Sequence, residues 1–130
     1  MRSLDISIVV EGVIKKAQIE CDRQKLSLVF RMECGITKSY SAGDLFICFG
    51  MLRAEFPNIK FLCKGSKLNV YPSRMSSQMS AGVVAYEMVL GRPAESEDVV
   101  RIFDFEDENI TNNIEEQGDF YNKWIDSLTD

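Results

Sequence analysis

The recurrence of an apolar side chain at every second position over residues 26–34 is the strongest constraint on how this chain can fold. The apolar members occupy every second position, namely Leu26, Leu28, Phe30, Met32 and Cys34. Because side chains on a β-strand point alternately to its two faces, this pattern predicts a strand with one buried face. Residues 5–10 and 17–21 alternate similarly, and Gly12 permits a bend between them. Two strands, or one bent strand, are therefore expected to open the fold.

A helix is predicted at residues 44–55. Asp44 can accept hydrogen bonds from the free N–H groups of a first turn, and apolar residues then recur at helical spacing until Pro57. Residues 59–63 alternate again, and residues 64–67 (Lys-Gly-Ser-Lys) are typical of a hairpin turn leading to a return strand at 68–71. The same residues lack the spacing of a phosphate-binding loop, so a hairpin is the better interpretation. The pattern predicts an antiparallel meander interrupted by one helix.

Residues 75–90 are compatible with either a helix or a strand. Met75 and Met79 begin a helical spacing, whereas Gly82 weakens a helix and the two valines after it prefer a strand. We favour a serine-capped helix with both methionines in the core. Arg74 and Gln78, one turn apart, would then point together to solvent and offer hydrogen bonds to a partner.

A C-terminal helix is predicted from Phe120, Trp124 and Leu128, which are spaced four residues apart. We expect Trp124 on its buried face; the competing interpretation is that the aromatic residues here are exposed anchors for a partner. The whole pattern predicts a single α+β domain over residues 1–130. It would consist of an antiparallel sheet of about five strands, with helices packed mainly on one face.

Charge is distributed very unevenly along the chain. Residues 95–130 carry 12 acidic and two basic side chains, a net charge of −10, within a chain whose formal net charge is −5. Such a density of carboxylates repels nucleic acid and attracts basic protein surfaces. The alternative is a solvated surface that keeps the protein in solution. The candidate partner-binding residues are Arg74 and Gln78 together with the carboxylates Asp104, Glu106, Asp107, Glu108, Glu115, Glu116 and Asp119.

Several chemistries are disfavoured by composition. The chain has no histidine, which excludes His-based acid/base catalysis, the serine and cysteine nucleophile arrangements that need His, and the commonest zinc sites. Its four cysteines, Cys21, Cys34, Cys48 and Cys63, form no C-x-x-C pair and lie in apolar segments, so we interpret them as reduced core thiols. We predict no enzymatic activity, no cofactor and no metal.

We expect neither a transmembrane span nor a signal peptide in this sequence. The longest apolar run falls far short of the roughly 20 residues that cross a bilayer, and Asp5 interrupts the apolar core that a signal peptide requires. We therefore expect a cytoplasmic protein without a membrane partner.

Three stretches carry a family resemblance: residues 66–86, the Gly-Arg-Pro at 91–93, and residues 100–104. Together they resemble small bacterial immunity proteins of polymorphic toxin systems, in particular those of contact-dependent growth inhibition. The resemblance implies a cytosolic protein that binds and neutralises one cognate toxin C-terminal domain, often a nuclease. It implies no particular fold and no particular binding residues, because immunity families have many folds.

Two other classes of function remain open. An adaptor or structural subunit of a larger assembly would expose a large apolar patch and form stable homo-oligomers. An enzyme, the least favoured class, would gather its titratable groups in one cleft. An immunity protein is expected to be a monomer or a weak dimer.

Overall fold

The computed structural model describes residues 2–129, which form two antiparallel sheets and three helices. The strands are β1 (Arg2–Val10), β2 (Val13–Asp22), β3 (Ser27–Met32), β4 (Thr37–Ser41), β5 (Ile59–Phe61), β6 (Val70–Tyr71), β7 (Val84–Glu87) and β8 (Val99–Arg101), and the helices are α1 (Leu45–Glu55), α2 (Arg74–Ser80) and α3 (Ile114–Ser127). The larger sheet has the order β4-β3-β2-β1-β5 and the smaller has the order β6-β7-β8. The predicted single-domain α+β class, with its five-stranded antiparallel sheet and C-terminal helix, is confirmed.

The first two strands form a hairpin and are not one bent strand. Glu11 and Gly12 both have positive φ angles, of 50° and 79°. Two consecutive residues of this kind make the tight turn whose twist matches antiparallel strands, and Val10 pairs directly with Val13 across it. This hairpin sets the register that buries one face of the larger sheet.

The core lies between the larger sheet and α1. Ile8, Ile19 and Phe30, one from each central strand, are fully buried on the same face, while the opposite face is largely polar. The helix begins as predicted at Asp44, whose carboxylate accepts a hydrogen bond from the Ile47 N–H at 2.8 Å. One face of α1 therefore closes the core over the sheet.

The predicted hairpin at residues 64–67 is wrong. Lys64–Ser66 is a single 3₁₀ turn, and the strands on either side of it belong to different sheets: β5 pairs with β1, and β6 pairs with β7. Gly65 is needed there for close packing, because a Cβ atom at this position would lie 2.8 Å from the Cβ of Ile102. The glycine that suggested a hairpin marks a close approach between two chain segments.

Residues 75–90 contain both of the expected structures, a short helix followed by a strand. Ser73 caps α2, as its hydroxyl accepts a hydrogen bond from the Ser76 N–H at 3.0 Å, and β7 begins at Val84. The predicted burial of the two methionines is wrong, since Met75 is 68% exposed and Met79 is 81% exposed. Arg74 and Gln78 are exposed, as predicted.

The C-terminal helix buries Trp124, as predicted, but the face that carries it differs from the expected one. Trp124 and Gln117 are buried and Tyr121 is half-buried, whereas Leu128 is exposed. The buried face of α3 therefore runs through residues 117, 121 and 124, which are four and then three residues apart along the chain. Tyr121 packs against Tyr71 with ring centroids 4.9 Å apart, which joins α3 to the smaller sheet.

Three of the four cysteines are buried, namely Cys21, Cys48 and Cys63, and all four have free thiols. The prediction of a core position is wrong for Cys34, which is exposed in the turn between β3 and β4. Within residues 2–129, no helix is long and apolar enough to cross a membrane.

Candidate protein-binding site

One of the seven predicted carboxylates, Glu106, occupies a different environment from the rest. It is only 9% exposed, and its Oε1 lies 2.9 Å from Nζ of Lys64 and 3.0 Å from Nζ of Lys67. Both lysines also pair with Glu87, at 3.2 and 3.4 Å. Two cations and two carboxylates therefore form a closed network between the 3₁₀ turn, β7 and the segment before α3.

The network also fixes the backbone of the acidic segment. The second carboxylate oxygen of Glu106 accepts hydrogen bonds from the backbone N–H groups of Asp107 and Glu108, at 3.1 and 3.0 Å. The Glu106 side chain thus orders the loop that carries Asp107 and Glu108. Because it is itself buried, Glu106 is not exposed to a partner.

The hydrogen bonds to Glu106 change its acidity. Burial acts to raise the pKa of this carboxyl, but hydrogen bonds from Lys64, the Glu108 N–H and Lys67 outweigh it and lower the pKa to about 2 from an ordinary 4.5. The hydrogen bond with Glu106 in turn raises the pKa of Lys64. Glu106 and Lys64 are therefore both charged near neutral pH.

This ionisation makes the stability of the fold depend on pH. Because the folded-state pKa of Glu106 is lowered, its contribution is present above about pH 4.5 and is lost as pH falls towards 2. We expect Glu106→Gln to lower the free energy of unfolding by about 1.5 to 3 kcal/mol at pH 7, and by progressively less at pH 4 and 3. Urea unfolding at each pH measures this difference. The exposed Glu108→Gln is the control, and an equal loss for Glu106→Gln at pH 7 and pH 3 would contradict the assignment.

The other six carboxylates are exposed, and we call them the acidic surface: Asp104, Asp107, Glu108, Glu115, Glu116 and Asp119. None of them forms an ion pair with a lysine or arginine of residues 2–129. In the same part of the chain, no three acidic or cysteine side chains are arranged to hold a metal ion. No ion pair among the described residues therefore offsets the negative charge of this surface.

Helix α3 organises half of the acidic surface. Asn113 caps it, because its side-chain oxygen accepts a hydrogen bond from the Glu115 N–H at 2.9 Å. Glu115 and Glu116 occupy the first turn, where the helix dipole favours negative charge, and Asp119 lies one turn further on. The three carboxylates therefore share a stretch of about one and a half turns.

The remaining predicted residues, Arg74 and Gln78, lie at a groove between α1, α2 and α3. This groove has a volume of about 630 Å³, and Ile47 and Tyr121 also line it. Tyr121 lines the groove from α3, whereas Asp119, two residues earlier, lies on a different side of that helix. Asp104 is separate, since it lines a different cavity beside Arg2 and Arg101. The structure thus divides the candidate residues among four places: the groove (Arg74 and Gln78), helix α3 (Glu115, Glu116 and Asp119), the loop that Glu106 orders (Asp107 and Glu108), and the other cavity (Asp104).

Sequence reasoning missed the buried network that holds α3 in place. Arg53, on α1, is fully buried, and its guanidinium donates hydrogen bonds to the Gln117 side chain at 2.8 Å and to the Thr111 carbonyl at 2.9 Å. Gln117 in turn donates to the carbonyls of Gly65 and Lys67, at 2.8 and 2.9 Å. The sequence did contain one signal for this network. Arg53 lies four residues after the core residue Phe49, and a spacing of four puts both side chains on the same face of α1.

The environment of Arg53 is unusual for a charged group. Its guanidinium lies 4.9 Å from the centroid of the Phe49 ring, and no carboxylate pairs with it among the described residues. Burial lowers the pKa of Arg53 to about 10. The group therefore stays charged at neutral pH and is stabilised by carbonyl oxygens and an aromatic face.

No protein-family model matches the chain, and no curated protein matches it significantly.

Proposed function

We propose that this protein binds and neutralises a basic toxin domain, as the bacterial immunity proteins that its sequence resembles do. The observation that carries the proposal is the acidic surface, six exposed carboxylates without an ion-pair partner among residues 2–129. Unpaired surface charge of one sign accelerates association with a surface of the opposite sign and disfavours wrong partners. The site of action that we propose is the cytoplasm.

Two further features support contact with a protein. Met75 and Met79 are exposed on α2, and methionine suits adaptable contact surfaces because its side chain is flexible and polarizable. The groove beside Arg74 and Gln78 provides a concave region that can receive a side chain of the partner. The acidic surface would attract the partner, and the groove with α2 would supply apolar contact.

The first test identifies the partner and its activity. The tagged full-length protein is used to capture proteins from the cells that make it, and each captured protein is then expressed alone and together with this chain. We expect a basic protein that arrests growth when expressed alone and is harmless when co-expressed. A captured protein that is harmless alone would contradict neutralisation, and stable homo-oligomers of the purified chain would favour the adaptor alternative.

The second test measures the contribution of charge. We expect Asp107→Lys combined with Asp119→Lys to slow association with the captured partner at least ten-fold in 50 mM salt, and to weaken the salt dependence of the rate. Stopped-flow mixing at several salt concentrations provides the rates.

The control for this test is Glu11→Lys combined with Glu33→Lys, which changes the net charge equally at two exposed positions outside the acidic surface. If both double variants slow association by the same factor, the net charge of the protein matters and the acidic surface does not.

A further inference from the structure

A cavity of about 530 Å³ lies at the start of β1, where the turn between β2 and β3 meets the segment that follows β8. Three arginines from three separate parts of the chain line it: Arg2 on β1, Arg23 in the turn, and Arg101 on β8. All three are exposed. No side-chain hydrogen bond within residues 2–129 uses any of these three guanidinium groups.

None of the three arginines forms an ion pair within the part of the chain that the structure describes. Other surface arginines do, since Arg31 lies 2.6 Å from Glu20 and Arg92 lies 2.8 Å from Asp98. One of the aspartates at the cavity, Asp22, is already engaged, because its Oδ1 accepts the backbone N–H groups of Gln24 and Lys25 at 2.9 and 3.0 Å. The guanidinium groups of Arg2, Arg23 and Arg101 therefore keep their hydrogen-bond donors available to a ligand.

The interior of the cavity is apolar. Cys21, Val83 and Phe103 line it and are each less than a tenth exposed. Burial raises the pKa of the Cys21 thiol to about 11, so this side chain adds no charge at neutral pH. An apolar interior under a charged rim is the usual arrangement of a site for a small organic ligand.

The charged residues that surround the apolar interior, which we call the rim, constrain the chemistry of that ligand. Asp5, Asp22 and Asp104 also line the cavity, so the formal charges of three arginines and three aspartates cancel and a bare anion gains little. A planar carboxylate offers two oxygen atoms, whereas a phosphate monoester offers three acceptor oxygens to guanidinium groups that approach from different directions. The aspartates can accept hydrogen bonds from hydroxyl groups of the same ligand.

We propose that this cavity binds a phosphate monoester carried on an aromatic ring system, with the phosphate between Arg2, Arg23 and Arg101 and the ring against Val83 and Phe103. The cavity shares Asp104 with the acidic surface, but the proposal is tested separately from toxin neutralisation, because its variants change none of the residues varied in those tests. It requires both parts of the ligand, since the arginines hold the phosphate and the apolar interior removes the ring from water.

Titration calorimetry of the full-length protein with four probes tests the proposal. Phenyl phosphate and adenosine 5′-monophosphate contain both parts, inorganic phosphate lacks the ring, and adenosine lacks the phosphate. We expect at least one of the two esters to bind at least ten-fold more tightly than inorganic phosphate and adenosine, and to raise the melting temperature. Failure of both esters to bind would overturn the proposal. Equal binding of inorganic phosphate would reveal an anion site only, and equal binding of adenosine an apolar pocket only; either result would also overturn it.

Matched variants locate the binding. Arg23→Gln and Arg101→Gln, both at exposed positions, are each expected to weaken binding of the ester at least ten-fold while the melting temperature without ligand stays unchanged. Lys60→Gln removes one positive charge elsewhere and should leave binding unchanged. Lys60 pairs with Val9, seven residues along β1 from Arg2, which places it about 23 Å away at about 3.3 Å per residue. If Lys60→Gln weakens binding of the ester by the same factor, binding depends only on the net charge of the protein.

Discussion

Replacing Trp124 with alanine is expected to lower the free energy of unfolding by about 3 to 5 kcal/mol. The indole is only 9% exposed, and its N–H donates a hydrogen bond to the Arg92 carbonyl at 2.9 Å. The alanine variant loses this burial and leaves the carbonyl without its donor, and α3 keeps only the hydrogen bond from the Gly91 N–H to the Ser127 hydroxyl as a tie to the loop before β8. Such a loss is a large share of the roughly 5 to 15 kcal/mol that keeps a typical domain folded.

Urea unfolding followed by circular dichroism measures this change, because the variant has no tryptophan left to report by fluorescence. The neighbouring Ile125→Ala is the control; Ile125 is 41% exposed, so we expect a change within about 0.5 kcal/mol. A Trp124→Ala protein that unfolds at the same urea concentration as the parent but fails to neutralise its partner would assign the indole to the interface instead.

Replacing Arg53 with alanine is expected to cost a similar amount, about 3 to 5 kcal/mol, for a different reason. The change opens a cavity between α1 and α3 and removes the donor from two buried oxygen atoms, the Gln117 side-chain oxygen and the Thr111 carbonyl. Arg53→Lys should recover only part of the loss, because an ammonium group lacks the planar fork that reaches both acceptors.

A double-mutant cycle tests whether the network acts as a unit. Because Arg53 and Gln117 are in direct contact, the combined alanine variant should be more stable than the sum of the two single losses predicts, by about 0.5 to 3 kcal/mol. Arg31→Ala, which removes a partly exposed ion pair with Glu20, should cost less than about 1 kcal/mol. Additive losses at residues 53 and 117 would show that the two side chains contribute separately.

The parts of the fold that sequence reasoning predicted depend on local patterns. Alternation at residues 26–34 and the Asp44 cap report on contacts within a few residues, and both β3 and α1 lie where these patterns place them. The turn at 64–67 and the pairing of β5 depend on partners far along the chain, such as Ile102 for Gly65. In a sequence, a glycine that is needed for close packing looks the same as a glycine in a turn until the residue that packs against it is known.

The candidate site was predictable to a similar extent. The excess of carboxylates in residues 95–130 is visible in composition, and six of the seven named carboxylates are exposed. That Glu106 is buried could not be inferred, because its lysine partners lie 42 and 39 residues earlier in the chain. The exposure of Met75 and Met79 was also hidden, since helical spacing of apolar residues does not show whether another element covers them.

The distance along the chain between Arg53 and Gln117 has a consequence for how the protein is made. The two residues are 64 positions apart, so at about 5 to 20 residues per second the ribosome adds Gln117 about 3 to 13 seconds after Arg53. During that interval the guanidinium group has no side-chain partner, and the apolar face of α1 has no α3 to cover it. The nascent chain therefore passes through a stage in which its larger sheet can form while its interior is still open to water and to chaperones.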